Sequence, residues 1–316
     1  REAGASCVQE IAFAFSNAIA YIEAAIKSGQ KVDDFAPGIS WIFTAGLNLF
    51  EEVAKFRAAR RLWARIMKER FGATVPKAQM LRVHVHTAGS VLTAQQPHNN
   101  IVRVTWQALA AMLSGIQSMA TCAYDEAIAI PTEESAVLAL RTQQMLAYES
   151  GCTDTIDPLA GSYYVEALTD KMEKEAYEYI KKIDAMGGAV AAIEQGYMQA
   201  EMATNAVNYQ YAIEKKSITV VGVNKYVDDK ELGEQEVLKA DLSVGQRQVD
   251  RLNKMKGERD NAAVEASLTA LKKACEGTEN LMPYIIEAVK DYATLGEICG
   301  TMKEVFGEYR QDGSNF

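Results

Sequence analysis

All three histidines of this 316-residue chain, His84, His86 and His98, fall in one short stretch. Two of them lie in Leu81-Arg82-Val83-His84-Val85-His86-Thr87-Ala88-Gly89, where polar and apolar residues alternate. Alternation with period two is a strand signal. It puts Arg82, His84 and His86 on one face and Leu81, Val83 and Val85 on the other. Three uses fit such a face. A His-x-His pair can offer two imidazoles to a metal, as in metal-dependent barrel hydrolases, but that site needs further imidazoles or carboxylates and the only other histidine is His98. The pair can contact an organic ligand or cofactor. The third use is a plain solvated strand face. Asp125-Glu126 follows another candidate strand, at the end where parallel α/β barrels keep their active sites; equally, it can be a pair of acids near a helix start. Lys55, Arg57, Arg60, Arg61, Arg65, Lys68 and Arg70 recur at helical intervals and read as a solvated helix face pairing with Glu51 and Glu52.

The elements that would position these residues alternate. The pattern predicts a helix over 6–28, an apolar strand over 39–44, a helix over 47–71, the histidine strand, a helix over about 99–114, a strand over 117–123, and a helix from Pro131-Thr132-Glu133-Glu134 to Gly151 with Thr132 as N-cap. Short loops between strand and helix argue for βα units and a parallel sheet. Three parallel strands, however, neither cover both their faces nor close a barrel. From 160 onward the pattern is mostly helical. It is interrupted by an extended segment at 217–223 and a charged connector at 228–260, and ends in helices at about 262–274, 281–291 and 295–308. The implied organisation is 1–160, 161–227 and 228–316.

Composition narrows the partners. A net charge of −9 argues against nucleic acid. Five scattered cysteines without a C-x-x-C pair point to a reducing, cytoplasmic setting without disulfides or a zinc site. No run of eighteen apolar residues suggests a membrane span. The sequence starts at Arg1, so a targeting peptide upstream is left open.

Several long blocks, in order, carry a resemblance. They are Arg1-Glu2-Ala3-Gly4-Ala5, Asp34-Phe35-Ala36-Pro37, Glu51-Glu52-Val53-Ala54-Lys55-Phe56-Arg57, Leu92-Thr93-Ala94-Gln95-Gln96-Pro97 with Asn99-Asn100, Asp125-Glu126-Ala127, Asp157-Pro158-Leu159-Ala160-Gly161-Ser162-Tyr163-Tyr164, and Val221-Gly222-Val223-Asn224-Lys225-Tyr226. Together they resemble the acyl-CoA mutases that use adenosylcobalamin, the family typified by methylmalonyl-CoA mutase. The resemblance implies an α/β fold: the C-terminal portion, strands six to eight, of a (β/α)8 TIM barrel threaded by the CoA chain, then a mostly helical region. It implies an isomerase catalysing radical carbon-skeleton rearrangement, with adenosylcobalamin as cofactor and an acyl-CoA as substrate. The earlier barrel strands and a small cobalamin-binding subunit would be partners, because the family's Asp-x-His-x-x-Gly cobalamin motif is absent here and the chain ends near Tyr309-Arg310, much as the large subunit of two-chain mutases does. Without them the chain is expected to be inactive.

By the same resemblance, Glu2, Gly89 and Glu126 match positions approaching the corrin or adenosyl group, and Ile130 matches a corrin-facing apolar position. Ser40 and His84, with Gly38 and Ile39 alongside, match the CoA side. The family's Gly-Tyr-His, whose histidine contacts the thioester carbonyl, would lie just before Arg1, so no catalytic residue is assigned within the chain. Three residues depart from the pattern. Gly38 stands for an Arg beside the CoA phosphates, His86 for a Gln near the cofactor, and Cys122 for an Asn on strand eight. These departures suggest a paralogue with another acyl preference, such as isobutyryl-, ethylmalonyl- or 2-hydroxyisobutyryl-CoA. A metal-dependent barrel hydrolase and a non-catalytic partner subunit are the other two readings.

Overall fold

A computed structural model describes residues 1–228, 238–239 and 241–309. The chain divides into two compact units, Arg1–Leu238 and Lys239–Gly313.

The first unit is built on a three-stranded parallel sheet in the order β1-β2-β3, with β1 at Trp41–Ala45, β2 at Val83–Thr87 and β3 at Ser118–Ala120. Before β1 come α1 (Cys7–Lys27) and a short α2 (Val32–Phe35). Between the strands lie α3 (Leu49–Glu69), a short α4 (Pro76–Gln79) and α5 (Asn99–Leu113). After β3 come α6 (Glu133–Glu149), α7 (Tyr163–Ala185), α8 (Ala189–Glu194) and α9 (Tyr197–Glu214). Local chemistry sets the starts. Ser6 and Gln9 form a capping box on α1, and the Thr132 hydroxyl accepts from the Ser135 N–H at the start of α6, as its sequence predicts.

β1 and β2 each have one buried and one open face. Trp41, Phe43, Val83 and Val85 point into a core shared with α1, α3 and α7. Phe15, Trp41 and Trp63 meet there edge to face or tilted, with ring centroids 4.7–5.3 Å apart. On the opposite face the register aligns Ile42, His84 and Ser118 in one row and Thr44, His86 and Ala120 in the next. Ile42 is 77% exposed there. Among the described residues this histidine face carries no helical layer, and the outer edges of β1 and β3 pair with no further strand. Parallel sheets are normally covered on both faces.

The structure corrects three expectations. The segment 217–223 is a wound loop with one isolated bridge, Val221 to Lys225. Asn224 explains this, because its side chain accepts from the Val220 N–H at 2.8 Å and donates to the carbonyls of Ile213 and Ile218 at 2.9 and 2.8 Å, taking the groups a strand neighbour would need. The connector expected over 228–260 holds a helix, α10 (Ser243–Glu258), while 229–237 and 240 lie outside the described residues. The basic run of α3 is solvated only in part. Arg61, Lys68 and Arg70 are exposed and Lys55 pairs with Glu52 as expected, but Lys55 is fully buried, Arg57 binds Asp157 and Glu166, and Arg61 and Arg65 bind Glu173.

The second unit contains α10, then α11 (Asn261–Cys275), α12 (Met282–Lys290) and α13 (Leu295–Phe306), the last three around Leu271, Cys275, Ala288 and Ile298. Asp260 caps α11, and Thr294 with Glu297 forms a capping box on α13. The Arg259 guanidinium holds the Glu297 carboxyl far below the usual carboxylate range. No described helix is long and apolar enough to cross a membrane.

Candidate functional site

The C-terminal tips of the strands and the segment before α1 converge. Glu2 is exposed, and its carboxylate accepts from the Gly89 N–H at 3.1 Å and the Ser90 N–H at 2.9 Å, just beyond the tip of β2. From the other side Glu126 lies against the same turn: a Cβ on Gly89 would sit 3.3 Å from Glu126 Cγ and 3.7 Å from Cys122 Sγ. His86 lies on the same strand end. Its Nδ1 is 2.8 Å from the Thr87 carbonyl, which assigns the proton of the neutral ring to Nδ1 and leaves Nε2 as an acceptor. The Cys122 thiol donates to that carbonyl at 3.1 Å. Burial pushes the thiol up to about 11, against the opposing effect of the Thr87 side chain, so it is neutral at ordinary pH.

Two cavities open here. One of about 390 Å³ is lined by His86, Cys122 and Glu126 with apolar walls from Met119, Pro131 and Leu140. The other, about 650 Å³, is lined by Arg1, Glu2, Asn48, Ser90, Asn205 and Tyr209. Glu2, His86, Gly89 and Glu126 are thus brought together. Ile130 is 68% exposed on the loop beyond Glu126. The paired acids separate in role. Asp125 is buried and accepts from the Thr132 N–H at 3.2 Å, fixing the turn into α6, whereas Glu126 is exposed and faces the cavity.

The remaining candidates lie elsewhere. Gly38, Ile39 and Ser40 precede β1 at the N-terminal end of the sheet, and Arg82 ties this turn down through the carbonyls of Pro37 and Ile39. His84, the second residue of β2, binds the Ser118 hydroxyl through Nδ1 at 2.8 Å. His98 packs its ring 5.3 Å from that of Tyr124. Among the described residues no three His, Cys, Asp or Glu side chains are placed to hold a metal ion, so the His84–His86 pair gains no third ligand.

Sequence reasoning missed the charges beneath the tips. Glu52, with no exposure, meets Lys55 at 2.6 Å and Arg1 at 3.0 Å; Lys55 also meets Glu10 at 2.7 Å and donates to the Thr44 carbonyl. Burial alone would raise the Glu52 carboxyl, but Lys55 and Arg1 outweigh it and hold the group below its usual value. Burial likewise opposes the charge on Lys55, and Glu10 and Glu52 raise it well above its usual value. The i,i+3 spacing of Glu52 and Lys55 was the one visible signal. Sequence also gave no hint that α9 closes on the N-terminal turn, where Asn205 donates to the Gly4 carbonyl and a Cβ on Gly4, at φ +100°, would meet Ala206 Cβ at 2.5 Å.

Comparison with known proteins adds an independent line. Residues 1–308 match the family model described as methylmalonyl-CoA mutase. The chain is 46% identical over 313 residues to the 2-hydroxyisobutanoyl-CoA mutase large subunit of Aquincola tertiaricarbonis, covering 98% of this chain and 55% of that protein. It is 45% identical to the methylmalonyl-CoA mutase of Escherichia coli (98% and 43%) and 37% identical to the mitochondrial methylmalonyl-CoA mutase of Homo sapiens (98% and 42%). The chain therefore spans about half the length of these relatives, or less.

Proposed function

Because the chain belongs to the methylmalonyl-CoA mutase family, we propose that it forms the C-terminal part of the barrel chain of an adenosylcobalamin-dependent acyl-CoA mutase. In this reading β1, β2 and β3 are strands six, seven and eight of a (β/α)8 barrel. The observation that carries it is the convergence of Glu2, Gly89 and Glu126 at the strand tips beside a bare histidine face. That face is the lumen side, and the preceding barrel strands cover it and pair with the open edges. A small cobalamin-binding subunit completes the assembly, and the large-subunit name of one relative favours a two-chain enzyme. The free cysteines of the described residues suit a cytoplasmic setting.

The donor set fits the cofactor. A corrin edge carries amide N–H groups and an adenosyl group carries hydroxyls, and both call for acceptors; Glu2, Glu126 and His86 Nε2 are acceptors grouped around a glycine that keeps the floor of the site low. Ile130 offers an apolar surface to the macrocycle. When bound, adenosylcobalamin supplies the radical chemistry of the rearrangement, in which the carbonyl-CoA group and a hydrogen exchange places on adjacent carbons. The chain's own part is to hold and orient. Glu126 and Glu2 take the cofactor side, the apolar walls of Met119, Pro131 and Leu140 exclude water, and His84 with the Gly38-Ile39-Ser40 turn takes the CoA side, one strand length away.

The similarity to a 2-hydroxyisobutanoyl-CoA mutase favours a branched acyl chain besides methylmalonyl. The test is to reconstitute the full-length protein with adenosylcobalamin and its small subunit and assay rearrangement of methylmalonyl-, isobutyryl-, ethylmalonyl- and 2-hydroxyisobutyryl-CoA. At least one should isomerise, and Glu126→Gln should slow it. No turnover of any of the four would sink the proposal.

A further inference from the structure

Glu2 reaches the β2 tip from a turn that is locked on both sides. The Gly4 N–H donates to the Arg1 carbonyl at 2.8 Å, closing the turn. The Arg1 guanidinium then donates to the Ala5 carbonyl at 2.9 Å and to Glu52 Oε1 at 3.0 Å. Glu52 is held in place, because Lys55 binds its other oxygen and the Cys7 thiol donates to Oε1 at 3.4 Å. Lys55 extends the set to Glu10, which accepts from the Thr44 N–H at 2.8 Å. Two cations and two carboxylates thus balance under the sheet tips, drawn from the N-terminal turn, α1 and α3 and bonded to the backbone of β1. A buried set of this kind is costly when half-satisfied, and fully satisfied it enforces one geometry. Arg1 links this set to the cavities, and its neighbour Glu2 binds two consecutive amides of the β2 turn.

We propose that Arg1, anchored on Glu52, is a positioning residue that sets the Glu2 carboxylate and through it the Gly89-Ser90 turn. The proposal rests on the mutase reading for its catalytic consequence, since that turn is the floor of the cofactor side; the structural link stands on its own geometry. Arg1 touches no ligand in this scheme. It fixes the height of the turn against which Glu126 lies.

Hydrogen exchange at the Gly89 and Ser90 amides tests the link without any turnover. In the full-length protein, Arg1→Gln and Glu2→Ala should each speed exchange there by roughly tenfold, since each releases the same two amides. The double variant should exchange no faster than either single one, because both remove one device. Arg1→Lys keeps the charge but loses the fork that serves Ala5 and Glu52 together, so it should fall between; this comparison stands even if Arg1→Gln does not fold. Exchange at wild-type rate in Arg1→Lys and Arg1→Gln, or effects that multiply in the double variant, would overturn the proposal. In the reconstituted holoenzyme Arg1→Gln should lower kcat while leaving KM for the acyl-CoA nearly unchanged, because the acyl-CoA side lies at the other end of the strands. A rise in KM alone also counts against it. If the wild-type holoenzyme turns over no acyl-CoA yet the exchange coupling holds, the mutase reading falls and the Arg1–Glu2 link survives.

Discussion

Glu52 Oε1 lies 2.7 Å from the point that a Cβ on Gly46 would occupy, and Arg1 Nη2 lies at the same distance from it. Gly46 directly follows β1 and precedes α3, so backbone and buried carboxylate meet where the two elements join. Because Lys55 and Arg1 pin the carboxylate, it cannot retreat from a methyl group. Gly46→Ala should therefore cost about 1–3 kcal/mol through overpacking. A thermal unfolding midpoint equal to that of the wild type would contradict this account of the contact.

Cations of one helix should differ widely in worth. Lys55 sits with no exposure between Glu10 and Glu52, so Lys55→Met leaves two buried carboxylates with Arg1 as the one remaining cation and should cost about 3–5 kcal/mol. Arg70, at the far end of α3, binds Glu23 and Asp184 at a partly exposed site, and Arg70→Ala should cost about 1 kcal/mol or less. Denaturant unfolding of the two variants separates them, and equal losses would contradict the burial argument.

That contrast shows where sequence stopped being legible. Spacing along α3 gave the helix and its periodic cations, but it could not say what they face, since Asp157, Glu166 and Glu173 come from a segment a hundred residues away. Period-two alternation in β2 carried far more. It placed His84 and His86 on the open face and Val83 and Val85 in the core. The expected extended stretch at 217–223 failed because β-branched residues there satisfy a strand template locally, while the Asn224 side chain supplies the hydrogen bonds that keep it a loop. Asp125 and Glu126 are adjacent and alike in sequence. Only the packing of the turn into α6 sends one inward to Thr132 and the other to the cavity.

Acid should act through Glu52. Its folded carboxyl titrates below the unfolded value of about 4.3. The stability it contributes is present above that unfolded value and drains away as pH falls through the folded one. Lys55 has the opposite sign: its contribution is present below the unfolded value of about 10.4 and is lost as pH rises through the raised folded value. Glu52→Gln should thus be clearly less stable than wild type at pH 7, and the gap should narrow below about pH 4. A stability difference that stays constant from pH 7 to pH 3 would show that the Glu52 charge is not coupled to folding.

Gly38 offers a gain-of-affinity experiment at the other end of the sheet. No atom lies within 4 Å of where its Cβ would stand, and its backbone is not in the left-handed region, so a long side chain enters without strain. The neighbouring turn is already held by Arg82 through the carbonyls of Pro37 and Ile39, so the backbone will not shift to accept it. If the turn faces the CoA phosphates, Gly38→Arg adds a charge-assisted hydrogen bond worth about 1.5–3 kcal/mol, or a fall in acyl-CoA Kd of at least roughly tenfold. Raising ionic strength should erode much of that gain, because a cation on an exposed turn is screened. Titration calorimetry of the full-length protein with the acyl-CoA at low and high salt reads both effects. An unchanged Kd at low salt would mean that the turn 38–40 does not meet the phosphates, and the acyl-CoA would then need another path along the bare face of the sheet.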